Sequence, residues 1–390
     1  SRFVATAKKR AEDSAGRRIY ATFGSRPGGG AVRRLLHPFP RCTANAGVVH
    51  HDGRLLALWS GARPYALDAE TLATIGPESF GGRLRPWHPF SAAPVRDPAT
   101  GDLWNVGVRP GLPAVARLYR CPAGAKAEVV ARLAVPFAPA SFAFGLTATT
   151  AVVVIPPAAL PRFPVALALG RATALDVLEW RPDEGTLVLL VDRRTGAVRG
   201  RARTDAFMPT SLAQAYDDGD DVVVDLCAFP DATVFAATQE SMDGEAVTQT
   251  YPTLQTLRIR PDGSVERTLR PPLDGAAVVD PAAPGPAARI AGVTVNPAGG
   301  YFGLPAVVAA GTANVSWAPP DPHLFAGPPV PIARPGGEPS AWVLTLALNS
   351  ARARSELRIL DGDDLRRPPA AVVALPHVVP FGARGTWVPA

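Results

Sequence analysis

The side chains in this chain that could bind a metal are six histidines, His37, His50, His51, His88, His323 and His377, and three cysteines, Cys42, Cys121 and Cys227. Their spacing assembles no site. His50 and His51 are adjacent, so on a strand they point to opposite faces. His88 stands in a Pro-Trp-His-Pro stretch. No HxH or HxxxH pair and no facial histidine–carboxylate set is present. The cysteines are too widely spaced for a CxxC pair or a disulfide framework. Cys227 follows Val222-Val223-Val224-Asp225-Leu226 and reads as a buried core thiol. There is no GxSxG elbow. Gly28-Gly29-Gly30 lacks the Gly-Lys-Ser/Thr of a phosphate-binding loop. Asp217-Asp218 and Asp220-Asp221 flank Gly219 and read as hairpin-turn residues rather than as an acid–base pair.

Short strands must position whatever chemistry there is. Leu55-Leu56-Ala57-Leu58-Trp59 follows the turn His51-Asp52-Gly53. Thr186 to Val191 runs into Asp192-Arg193-Arg194-Thr195-Gly196, and Leu257 to Arg260 into Pro261-Asp262-Gly263. Glu356 to Leu360 enters Asp361-Gly362. Asp and Gly populate such turns because they tolerate left-handed backbone angles. The one helix candidate of length is Val4 to Tyr20. Strand–turn–strand units along the whole chain predict an all-β fold, a propeller or a large sandwich. The propeller is favoured because radial repetition leaves only short edges. Residues 155–170 carry Pro156, Pro157, Pro161 and Pro164, too many for a helix or a central strand. Two readings stand: a buried loop, or an apolar patch that touches a membrane or lines a substrate entrance.

With 390 residues and 47% hydrophobic side chains, a substantial core is available, read as one domain over residues 1–390. The 43 prolines and 36 glycines are spread along the chain, as turns are, and not gathered in a tail. The net charge of +6 comes mainly from scattered arginine, as at Arg33-Arg34, Arg193-Arg194 and Arg366-Arg367. No basic stripe interleaved with aromatics accompanies it, so no nucleic-acid partner is expected. Weak attraction to an anionic membrane fits the charge. Without a signal peptide at Ser1 or an apolar run of bilayer length, the expected location is the cytoplasm, with peripheral membrane contact through residues 155–170.

Several stretches resemble the carotenoid cleavage oxygenases, bacterial members and their lignostilbene-cleaving relatives above all. They begin with Thr43-Ala44-Asn45, Gly53 to Trp59 and Pro64-Tyr65-Ala66-Leu67-Asp68, and continue with Phe90-Ser91-Ala92-Ala93-Pro94 and Asp97 to Gly101. Arg181 to Thr186, Asp205-Ala206-Phe207 and Tyr216 to Val222 follow in the family's order. The ending matches best, with Ala333 to Gly337, Trp342-Val343-Leu344, Ser355-Glu356-Leu357, Val379 to Gly382 and Gly385 to Pro389. The resemblance implies a seven-bladed β-propeller with iron on its axis, under a cap of helix and loop that encloses an apolar tunnel. In family members roughly a further blade's worth of sequence precedes the point where this chain starts, so an N-terminal blade segment is expected to be absent here.

The family holds its iron with four histidines. The matching positions here are Ala93, between Phe90-Ser91-Ala92 and Pro94; Phe142, opening Phe-Ala-Phe-Gly-Leu-Thr; Ser211, three residues before Gln214-Ala215; and Arg384, in Ala-Arg-Gly. Of the three glutamates that orient those histidines, Ser60 and Gly275 replace two, and Glu338 is the candidate survivor. The resemblance therefore implies a retained fold and an erased iron site, with no iron and no other cofactor expected. Such a centre suits an apolar or amphiphilic small molecule with an anionic end at Arg384. It also suits a non-oxidative isomerisation or cyclisation in which Arg384, Ser211 and Glu338 act and positive charge stabilises a developing oxyanion. A first alternative is a non-catalytic scaffold for a ligand, a partner protein or a separate N-terminal segment, with Arg384 a plug paired to Glu338 or Asp205. A second is an iron-dependent dioxygenase cleaving a polyene or stilbene double bond, which holds if the ligand positions are shifted.

Overall fold

The computed structural model describes residues 2–26, 41–111, 113–161, 165–242, 250–279, 284–295, 303–309, 315–334, 341–379 and 384–388. These residues form antiparallel sheets with little helix. Six sheets have the size of propeller blades and follow one another along the chain. Blade 1 comprises Gly47–His51, Arg54–Leu58, Tyr65–Asp68 and Thr74–Pro77. Blade 2 comprises Val95–Arg96, Leu103–Arg109, Ala114–Cys121 and Glu128–Val135. Blade 3 comprises Ala143–Leu146, Thr150–Ile155, Thr186–Asp192 and Val198–Thr204. Blade 4 comprises Met208–Asp218, Asp221–Phe229, Thr253–Ile259 and Val265–Pro272. Blade 5 comprises Asp274–Val278, Arg289–Thr294, Leu304–Ala309 and Val315–Trp317. In blade 6, Leu324–Ala326 and Val330–Ala333 both pair with Ala341–Asn349, which leads to Arg354–Asp361 and Ala371–Ala374.

The turns form where the sequence places them. Asp52 and Gly53 both take positive φ, 51° and 69°, between the first two strands of blade 1. That pair of angles is what a tight hairpin between right-twisted strands requires. The strands read as continuous apolar runs because both their faces are buried. In Thr150–Ile155, Val153 and Ile155 join the core between blades 2 and 3. Their neighbours Val152 and Val154 join the core between blades 3 and 4. A side-chain period of two thus divides one strand between two cores. Similar apolar clusters lie between blades 1 and 2, 4 and 5, and 5 and 6.

The helix expected over Val4 to Tyr20 is shorter, Ala7–Ala15. Thr6 caps its start by accepting from the Lys9 N–H at 3.0 Å, and Gly16, left-handed with φ 60°, ends it. Residues 155–170 are not one loop. Ile155 closes a blade 3 strand. Ala158–Leu160 is the middle strand of a small sheet with Ala138–Pro139 and Glu179–Trp180. Val165–Ala168 is a single helical turn; Val165 and Leu169 are exposed, whereas Leu167 is buried. Arg162 to Pro164 lie outside the described residues. Among the described residues, no helix is long and apolar enough to cross a membrane.

Candidate functional site

The first strands of blades 2 to 5 line a cavity of about 1600 Å³. Ala93, Phe142, Ser211 and Arg384, distant in sequence, all lie on its wall, as does Ser60. Leu160, Pro161 and Leu167 line it too, so part of the proline-rich segment borders the cavity. Of the five described histidines, none lines it. His51 is instead buried in blade 1 near Phe80, with Nδ1 unpartnered. Among the described residues, no three His, Cys, Asp or Glu side chains gather as metal ligands do.

The backbone around Ala93 is held by polar contacts. Asn105, fully buried, accepts from the Ser91 N–H at 2.8 Å and donates to the Ser91 carbonyl at 3.0 Å. The Ala93 N–H donates to Ser91 Oγ at 3.1 Å, and the Ala92 N–H to Ser60 Oγ at 3.1 Å. Ser60 therefore ties down the backbone at the first position. A short side chain is also required opposite. A Cβ on Gly47 would lie 3.1 Å from the Ala92 carbonyl oxygen and 3.4 Å from Arg384 Cβ. Gly47 thus lets the strand of blade 1 pass between these two residues.

Ser211 sits on the innermost strand of blade 4, whose register shifts between Pro209 and Ser211 and again between Leu212 and Gln214. Such bulges re-aim side chains. Ser211 is buried, and its Oγ accepts from the Ala276 N–H at 3.1 Å. Its hydrogen can be donated to Cys227, its partner across the ladder, or into the cavity. Burial pushes the Cys227 thiol far up, and the Asp274 carboxylate adds to that, so Cys227 is not a thiolate nucleophile.

Arg384 is ringed by protein atoms yet keeps part of its surface open to the cavity. Its one hydrogen bond among the described residues runs from Nη2 to the Thr210 carbonyl, at 3.5 Å. No described carboxylate comes within 4.0 Å of it. Burial lowers its proton affinity, and the nearby negative charge of Asp274 works against that. Asp274 is itself engaged. Its Oδ1 accepts from Thr210 Oγ1 at 2.6 Å and from the Gly275 N–H at 2.7 Å. Asp205, the expected partner, is exposed and stands near Arg267 instead. Glu338, the other expected partner, lies outside the described residues. Gly275 does not border the cavity. It takes φ +60°, and a Cβ there would lie 3.0 Å from Pro328.

Sequence reasoning missed Thr210 and Asp274. It also missed a buried pair at the turns that end the cavity. There Arg193 binds Asp97 and donates to the Thr147 carbonyl at 2.6 Å, with its guanidinium 4.8 Å above the Trp104 ring. Nothing in the local sequence marks that pair, because blade packing joins residues 96 positions apart.

At the four positions where the resemblance placed the family's iron ligands, the donor chemistry is plain. A methyl and a phenyl offer no lone pair, a guanidinium is a permanent cation, and one hydroxyl is left. This set does not fit a ferrous ion.

Blade-like antiparallel sheets with first strands facing a central cavity define a β-propeller of the oxygenase type. The chain belongs to the retinal pigment epithelial membrane protein family, the family of the carotenoid cleavage oxygenases, whose model matches residues 1–389. It is 29% identical to the apocarotenoid-15,15'-oxygenase of Synechocystis over 99% of this chain and 81% of that protein. It is also 29% identical to resveratrol cleavage oxygenase 1 of Aspergillus fumigatus, over 89% of this chain and 74% of that one. A mutant of the Synechocystis apocarotenoid oxygenase superposes with a TM-score of 0.86 at 26% identity, covering 99% of this chain and 83% of that one. A cobalt-substituted form of the same enzyme shares the fold, with a TM-score of 0.85 at 24% identity over 99% of this chain and 83% of that one.

Proposed function

We propose that this chain is a metal-free member of its family that binds a hydrophobic or amphiphilic small molecule in the axial cavity. The chemistry such a centre supports is non-oxidative, an isomerisation or cyclisation. The observation that carries the reading is the convergence of Ala93, Phe142, Ser211 and Arg384 on one cavity wall. At the positions where the family holds iron, they bring one hydroxyl and one cation. A fixed positive charge there repels Fe²⁺. The names of the relatives, an apocarotenoid oxygenase and a resveratrol-cleaving oxygenase, support a conjugated and largely apolar ligand. In this reading Arg384 polarises or holds a ligand oxygen, and Ser211 donates to the same region. Val165 and Leu169 stand exposed close to cavity-lining Leu167 and serve as a point of peripheral membrane contact.

A second reading, binding without turnover, is favoured by the state of the acids on the cavity wall. Asp97 is committed to Arg193, and Asp217 accepts from Thr149 at 3.3 Å. Asp97, locked in that ion pair, is a poor proton carrier.

Elemental analysis of protein expressed in iron-rich medium tests the metal-free reading. The expected iron content is far below one atom per chain. About one tightly held iron per chain, with histidine or carboxylate ligation seen by X-ray absorption, overturns it.

A further inference from the structure

The arginines around the cavity differ in what holds them. Arg193 is committed to Asp97 and to the Thr147 and Ala148 carbonyls. Arg96 donates to the His50 and Gly101 carbonyls, and Arg120 pairs with Asp102. Among the described residues, Arg384 has only its long contact to Thr210. A guanidinium carries five N–H donors in a planar fork that matches a carboxylate bidentately. Enclosing one with so few partners is costly unless another group completes it. Among the described residues no group completes Arg384, because Asp274 is held back by Thr210 and Gly275, and the open side of Arg384 faces the cavity.

We propose that Arg384 is the carboxylate-recognition residue of the cavity, and that the ligand is an apolar monocarboxylic acid. This rests on the reading that the cavity binds an apolar small molecule. Three features narrow the class. The cavity wall that includes Ala92, Ala93, Phe142, Ala276 and Pro331 is apolar, and the remaining cavity arginine, Arg194, is exposed at the turn of blade 3. The Asp274 charge lies close enough to act on Arg384, so a dianionic phosphate would meet an uncompensated negative charge. A neutral ester or hydrocarbon would leave the fork unsatisfied, and a site built to bond a polar group rejects analogues that lack it.

Fluorescence titration with cis-parinaric acid, a conjugated C18 monocarboxylate, and with its methyl ester tests this at about pH 8. The wild-type chain is expected to hold the acid at least about ten-fold tighter than the ester. Arg384→Leu should lower acid affinity by about ten-fold or more and leave the ester within about two-fold. Dodecanoate should displace the probe at least about ten-fold better than dodecyl phosphate. Equal wild-type affinity for acid and ester overturns the proposal, as does an acid preference that survives in Arg384→Leu. Stronger competition by dodecyl phosphate overturns the choice of a monoanion. The wild-type comparisons need no variant, so they decide the matter even if Arg384→Leu fails to fold. Binding of neither acid nor ester removes the apolar-ligand reading itself, and is distinct from binding both alike.

Discussion

Tyr119 ends a stack of three rings between blades 1 and 2. Phe80 and Phe90 lie 5.2 Å apart between centroids, and Phe90 and Tyr119 6.2 Å. The tyrosine oxygen is buried and has no hydrogen-bond partner among the described residues, and burial pushes its pKa up to about 12. An unpaired hydroxyl costs free energy that the ring's packing must offset. Tyr119→Phe keeps the packing and removes the cost. It should leave stability unchanged or raise it by about 1 kcal/mol in urea denaturation. A loss of more than about 1 kcal/mol would mean that the hydroxyl makes a bond the structure does not show. Arg384 poses the same problem with a charge in place of a hydroxyl. There the missing partner has a cavity from which to arrive, whereas Tyr119 has none. The residue types at both places were readable from the sequence. Whether each was satisfied was not, because that depends on groups tens to hundreds of positions away.

The blades show why element order was legible and side-chain aim was not. Turns such as Asp52-Gly53 announce themselves through residues that accept left-handed angles. Bulges carry no such mark. The register shifts beside Ser211 and between Asp274 and Ala277 are set by pairing with neighbouring strands. That is why spacing alone did not single out Asp274, whose carboxylate accepts from Thr210. Close approach between elements is equally silent in sequence. Gly107, in the second strand of blade 2, runs against the Pro89 carbonyl, and a Cβ there would lie 1.8 Å from that oxygen. Only glycine fits. Gly107→Ala must move the segment that leads to Phe90 and Ala93. It should cost about 1–3 kcal/mol or more in thermal or urea unfolding, and it should weaken ligand binding as well. A variant as stable as wild type would show that the 89–93 segment yields freely.

Across the molecule, stability is divided among the apolar cores between successive blades, and polar ties join neighbouring blades. Arg193 and Asp97 form one such tie, carrying the turn of blade 3 onto the turn of blade 2. Both are largely buried, with 13% and 7% of their side chains exposed. Burial works to raise the Asp97 pKa. The Ala99 N–H, Arg193 and Thr100 outweigh it, and the net shift is downward from 3.8. The sign follows from that direction. The folded chain binds the proton less readily than the unfolded chain, so the contribution is full above about pH 4 and is lost as pH falls below it. Removing one partner leaves the other charge buried and unpaired. Asp97→Asn should therefore cost about 3–5 kcal/mol at neutral pH. Replacing both residues, as in Asp97→Asn with Arg193→Leu, removes the stranded cation and should recover part of that loss. If the double variant is instead as unstable as the sum of the two single variants, the residues do not act on each other. The joint between blades 2 and 3 would then rest on the apolar cluster of Trp104, Phe144, Val153 and Leu189 alone.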